Sequence, residues 1–127
     1  MIASSIAATL RIGEIYEIGG GLRHLWLRST EMRTAEQSFG GFFRLGMVFD
    51  LDAGRRFALP LSFDLGGGQE VDFQLKVNVG LRIGLGKALY LGAYPFNPLY
   101  TNYHSRGIGQ GERVWTFPSS IELGWLL

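Results

Sequence analysis

The sequence predicts an all-β fold, a single domain over residues 1–127 built as an antiparallel up-and-down β-barrel of eight strands. Three observations carry this expectation. Apolar and polar residues alternate with a period of two over long stretches, which places successive side chains on opposite faces of an extended chain and would smear both sets around a helix. Gly, Asp and Pro clusters separate those stretches where hairpins would turn. The composition agrees: 19 of 127 residues are Gly, about twice the usual share of roughly 7%. Nine Phe, five Tyr and three Trp accompany them, a mixture that helices accommodate poorly.

Residues 2–18 carry apolar side chains on even positions (Ile2, Ile6, Ala8, Leu10, Ile12, Tyr16, Ile18) against Ser5, Thr9, Arg11 and Glu17. They read as the first strand, with Gly19, Gly20 and Gly21 as the turn after it. Residues 22–32 alternate only with a slip or bulge. Residues 39–51 set Phe39, Phe43, Leu45, Met47, Phe49 and Leu51 against Gly40, Arg44, Gly46 and Asp50, with Phe42 and Val48 as exceptions. Residues 57–65 set Phe57, Leu59, Leu61, Phe63 and Leu65 against Ala58, Pro60, Ser62 and Asp64. Residues 71–85 are apolar at every odd position, Val71, Phe73, Leu75, Val77 and Val79 among them, and polar or Gly at every even one, including Asp72, Gln74, Lys76, Asn78 and Arg82. Asp52-Ala53-Gly54-Arg55 and Gly66-Gly67-Gly68 supply the turns that join these three strands into a meander. Residues 88–96 are apolar on both faces, and residues 99–106 form a short strand after Phe96-Asn97-Pro98. Residues 114–127 set Trp115, Phe117, Ile121, Leu123, Trp125 and Leu127 against Thr116, Ser120, Glu122 and Gly124. Counting 99–106 separately gives eight strands and omitting it gives seven; eight is the expected number, because an even count lets the first and last strands close antiparallel. Pro60 and Pro118 lack a ladder donor and count against an uninterrupted wall.

Alternation alone leaves open which face is inside. Three features favour a transmembrane barrel with its apolar face toward lipid. Three of the stretches exceed the usual five or six residues by enough to cross an apolar band of about 25 Å at a tilt near 45°. The apolar face of the central strands carries no charge, while the opposite face mixes both signs, as a narrow lumen must. Glycine recurs on that polar face at Gly40, Gly46, Gly80, Gly84 and Gly124, relieving crowding inside a small ring. The expected lumen network is Arg44, Asp50, Asp64, Asp72, Lys76 and Arg82; the expected lipid-facing set is Phe43, Leu45, Leu61, Phe63, Leu75, Val77, Val79 and Leu123. The alternative is a soluble sandwich or lipocalin-like barrel that carries an apolar ligand and whose charged face is simply solvated.

Composition narrows the function. Twelve Lys plus Arg against eleven Asp plus Glu give a net charge of +1, too little basic field for a nucleic-acid partner. There is no Cys, and two His cannot make a three-His site, so neither metal nor cofactor is expected. No apolar run is long enough for a transmembrane helix. The first residues lack the basic segment and apolar run of a secretory signal, and read as a start from which any export signal has already gone. Gly19-Gly20-Gly21 and the Gly-rich residues 107–111 open no helix and are not phosphate loops. Tyr90, Tyr94, Tyr100 and Tyr103, with Trp26, Trp115 and Trp125, read as aromatic girdles at the two bilayer interfaces.

The ending Ile121-Glu122-Leu123-Gly124-Trp125-Leu126-Leu127, with the alternating strands before it, resembles the small eight-stranded outer-membrane β-barrels of bacteria, although Leu127 stands where their insertion signal has an aromatic residue. The resemblance covers the whole chain as a pattern. It implies an outer-membrane location, a lipid bilayer or detergent as the solvent, and a possible protein partner at outer turns near Gly19 to Gly21, 53–55 and 107–111. It also implies one enzymatic alternative, a rim hydrolase using His104, Ser105 and Glu112, and a small pore is a further one. Adjacent His and Ser on an extended strand point to opposite faces, so the expectation is a structural or interaction module with a plugged lumen and no catalysis.

Overall fold

Over the residues that the computed structural model describes, 2–26, 37–54, 56–69, 71–103 and 113–127, the alternating stretches become strands. They are β1 (Ile2–Ile12), β2 (Tyr16–Trp26), β3 (Gln37–Asp50), β4 (Phe57–Gly68), β5 (Val71–Val79), β6 (Leu81–Gly84), β7 (Leu89–Tyr94), β8 (Leu99–Tyr103), β9 (Arg113–Thr116) and β10 (Ser119–Leu126). The sheet runs β3-β2-β1-β10-β7-β6-β4 and closes by pairing β3 with β4, a ring of seven strands, while β5, β8 and β9 continue the wall from β4 outside that ring.

The expected count of eight is thereby corrected. Residues 99–103 prolong the path of β7 after an interruption, just as β5 runs on into β6 and β9 into β10. An odd ring brings its first and last strands together in the same direction: β1 pairs with β10 in parallel, from Ile2↔Ser119 to Thr9↔Leu126. Parallel ladders are only slightly weaker per residue, so an even count is not required for closure.

The three interruptions lie side by side. The register Lys76↔Leu99 becomes Leu81↔Ala93 further along, five steps on one strand against six on the other, so the β7–β8 path holds one extra residue. That residue lies at Phe96, whose φ of 51° is a left-handed value that non-Gly residues avoid. Asn97 ties the break to its neighbours: its N–H donates to Pro118 O at 3.2 Å and its side-chain amide to Val79 O at 2.8 Å. Pro98 and Pro118 have no N–H to offer the ladder, and Gly80 supplies the matching bend between β5 and β6.

Two further expectations are revised. The first strand ends at Ile12, where Gly13 at φ 69° opens a tight turn, so Gly19, Gly20 and Gly21 lie inside β2 opposite Thr9, Ala8 and Ala7. Glycine is required there by close approach, because a Cβ on Gly21 would run into the Ile6 carbonyl of β1. The alternation of 71–85 also breaks at its start. Val71 is buried while Asp72 and Phe73 are both exposed, because the register slips between Val71 and Phe73 against β8 and between Gly66 and Gly68 against β4.

The wall is polar inside and apolar outside. Arg44, Lys76, Glu17, Glu122, Asn78 and Asp64 are among the largest side chains less than 2% exposed, whereas Phe43, Leu45 and Phe63 on the neighbouring positions are 51%, 47% and 51% exposed. A small apolar cluster of Ala3, Leu25 and Leu99 is the interior's apolar patch.

Candidate functional site

Charge and packing meet in the lumen, and Arg44 on β3 is its node. In the register it sits opposite Asp64 of β4, so sheet pairing alone brings the two together. Arg44 Nε donates to Asp64 Oδ1 at 2.6 Å and Nη2 to Asp64 Oδ2 at 2.9 Å. The same guanidinium crosses the barrel to Glu122 of β10, Nη1 to Oε2 and Nη2 to Oε1, each at 2.7 Å. Arg23 of β2 makes a second ion pair with Asp64. Glu122 is further held by Tyr90 Oη at 2.8 Å, Tyr94 Oη at 3.0 Å and Ser5 Oγ at 3.0 Å. Six strands thus meet on two carboxylates, all with charge-assisted bonds.

Nearer the end with the short turns, Arg82 of β6 pairs with Glu17 of β2, Nη2 donating to Oε1 at 2.7 Å. Lys76 is engaged differently. Its ammonium donates to Asn78 Oδ1 and lies 5.2 Å from the Tyr94 ring centroid, with no carboxylate among the described residues within ion-pair reach. Phe42, an exception to the alternation, is buried for a reason: the guanidinium carbons of Arg23 and Arg44 lie 4.5 and 5.0 Å from its ring centroid. Arg82 stacks in the same way on Tyr90, at 4.3 Å.

Of the residues expected in the lumen, Arg44, Asp64, Lys76 and Arg82 lie there, and the structure separates Asp50 and Asp72 from them. Asp50 ends β3 at the barrel rim, where Arg11 Nη1 donates to its Oδ2 at 2.9 Å and about a fifth of each side chain stays exposed. Asp72 is exposed because the slip at Val71 turns it out of the lumen face. The residues expected to face lipid all lie on the outer face; Phe43, Leu45, Leu61, Phe63, Val79 and Leu123 are exposed, and Leu75 and Val77 are half-buried.

Tyr90 and Tyr94 are not girdle residues. Both are buried in the lumen, 2% and 1% exposed, and their rings occupy space that glycines vacate. A Cβ on Gly124 would strike the Tyr90 ring, and one on Gly92 would come within 2.7 Å of Tyr94 Oη. Placing both Tyr on the same strand face as Gly92 is the sequence signal for this arrangement, hidden because residues 88–96 are apolar on both faces. Glu17 and Glu122 sit on the polar faces of their own stretches, yet their partners come from strands far away in the chain. Arg23 was obscured by the irregular pattern of residues 22–32.

His24 lies at the far end of β2 with its ring 4.4 Å from that of Phe39. His104, Ser105, Glu112 and residues 107–111 fall outside the described residues. Gly19 to Gly21 form no outer turn, and the turn at 53–54 shares the short-turn end with the one after Ile12. Among the described residues no group of His, Asp and Glu has the arrangement of a metal site. At the short-turn end the barrel opens into a cavity of about 570 Å³ lined in part by Arg11, Asp50, Arg56, Arg82, Lys87 and Tyr90. No family model, curated protein or solved structure matches the chain.

Proposed function

We propose that the chain is a membrane-embedded β-barrel, located in a bacterial outer membrane as its likeness to small outer-membrane barrels implies, and that it serves as a structural or interaction module with a plugged lumen and without catalysis. One observation carries this reading: among the described residues most of the largest buried side chains, Arg44, Lys76, Glu17, Glu122, Asn78 and Asp64 among them, are charged or polar, with Leu99 and Val48 as apolar exceptions, while most large apolar side chains point outward. Water as the outer solvent would leave that apolar belt exposed at a cost of about 25 cal/mol per Å² of apolar surface, with only the small cluster of Ala3, Leu25 and Leu99 as an apolar core in return. A hydrocarbon exterior removes the cost, and a closed ring satisfies the backbone groups that hydrocarbon would leave unpaired. The eleven residues of β1, at about 3.3 Å each and a tilt near 45°, rise roughly 25 Å, the height of an outer-membrane apolar band.

A soluble carrier of an apolar ligand is disfavoured by the same arrangement, since its cavity would have to be lined by the ion pairs of Arg44, Asp64 and Glu122. A wide pore is disfavoured because those side chains bridge the lumen from wall to wall. The test is the solvent requirement. Refolded chain should give a β-type circular dichroism spectrum and resist protease in non-ionic detergent or lipid vesicles, and should aggregate when the detergent is removed. A folded monomer in plain buffer would overturn the membrane reading. Recordings across planar bilayers should show no stable large conductance.

A further inference from the structure

The short-turn mouth holds charge that the lumen network does not use. Four cations line it, Arg11, Arg56, Arg82 and Lys87, against the side-chain carboxylate of Asp50 and the main-chain carboxylate of Leu127. Glu17 holds Arg82 and Asp50 holds Arg11. Arg56 and Lys87, on the turns flanking β4 and β7, have no carboxylate within 4 Å among the described residues. The interior behind the mouth does not cancel this excess: apart from Arg82, already counted at the mouth, its buried charges are Arg23, Arg44 and Lys76 against Glu17, Asp64 and Glu122, three of each sign. The positive excess therefore sits at the mouth itself, where low-dielectric walls focus it. At about 570 Å³ the cavity has the volume of a small-molecule site. Two free cations beside an Arg already oriented by Asp50 match a compact anion with more than one negative charge, and the guanidinium fork suits phosphate oxygens.

We infer that the short-turn mouth of the barrel binds a phosphate-bearing anion, a phosphate monoester or diphosphate, with Arg56 and Lys87 as its direct ligands and Arg11 as a third donor. The anion can arrive in two forms, free in solution or as the headgroup of a lipid whose chains lie along the exposed Leu51, Phe57 and Leu85 beside the rim. The site does not depend on what surrounds the outer wall, so its test can fail while the membrane reading stands.

Isothermal titration of the intact chain in non-ionic detergent with inorganic pyrophosphate forms one arm, and binding to phosphatidic acid against phosphatidylcholine vesicles forms the other. Arg56→Gln and Lys87→Gln are each expected to weaken binding about tenfold, the loss of one charge-assisted hydrogen bond. Both residues are exposed turn positions, so the barrel should keep its β spectrum. Arg113→Gln, at the opposite end of the barrel, should leave binding unchanged. Dependence on Arg56 and Lys87 in the pyrophosphate arm identifies a soluble ligand, and dependence in the phosphatidic acid arm alone identifies a headgroup. The inference is overturned if neither probe binds, if the double variant binds as well as the parent, or if citrate binds as tightly as pyrophosphate through the same residues.

Discussion

Arg44 donates to two carboxylates at once, so its loss leaves Asp64 and Glu122 buried with too little countercharge. Arg44→Met is expected to destabilise the barrel by about 3–5 kcal/mol, read from urea unfolding in detergent micelles. Arg82 and Glu17 offer the cleaner comparison, because each is the other's ion-pair partner. Arg82→Met alone should cost more than Arg82→Met combined with Glu17→Met, since the double change strands no charge; a double variant less stable than the single would refute this account of the pair. Arg44, Asp64, Lys76 and Arg82 are legible in the sequence because a clean period of two puts them on one face. Tyr90 and Tyr94 are not, because a Tyr can serve either face of a wall and only its hydroxyl partner, here Glu122, decides which.

At the level of strands, local patterning marks where chain runs extended and says little about where it bends. Phe96 has a left-handed backbone that a bulky side chain disfavours, and it lies where three neighbouring strand paths are interrupted together. Phe96→Gly should leave the unfolding free energy unchanged or raise it, and Phe96→Val should lower it by about 1–3 kcal/mol, as expected for a β-branched residue held in that conformation. If both variants behave alike, the backbone of residue 96 carries no strain. The glycines make a related point. Gly124→Ala is expected to destabilise by about 1–3 kcal/mol through overpacking against the Tyr90 ring. Combining it with Tyr90→Leu should cost less than the sum of the two single changes, because the smaller side chain vacates the contested space. Gly19 to Gly21, by contrast, have the composition of a turn and the position of a strand interior, a distinction set by the neighbouring backbone of β1 rather than by anything within β2.

For the molecule as a whole, the decisive quantity is the solvent that meets the outer face. Phe63→Arg places a charge on an exposed position of β4 whose neighbours Leu45 and Val77 are also apolar. In lipid vesicles this change should cost about 2–4 kcal/mol if that face lies near the bilayer midplane. A substitution tolerated there within about 0.5 kcal/mol, as on an ordinary wet surface, would count against a lipid exterior.

Because period two is a local property of an extended chain, the all-β class, the two faces of nearly every strand and the separation of charge from apolar surface are legible in the residues alone. Ring size, the pairing of first and last strands and the partners of each buried charge emerge from contacts between strands remote in the chain. Closure depends on the parallel pairing of β1 with β10, from Ile2↔Ser119 to Thr9↔Leu126, residues at opposite ends of the chain. No pattern within either strand specifies how many others lie between them. The bulge at Phe96 belongs to the same level, since an extra residue is visible only against the register of the strands beside it. Glu17 and Glu122 each carry an unambiguous inward position in sequence, but their pairing with Arg82 and Arg44 exists only once the sheet has curled and its two edges have met.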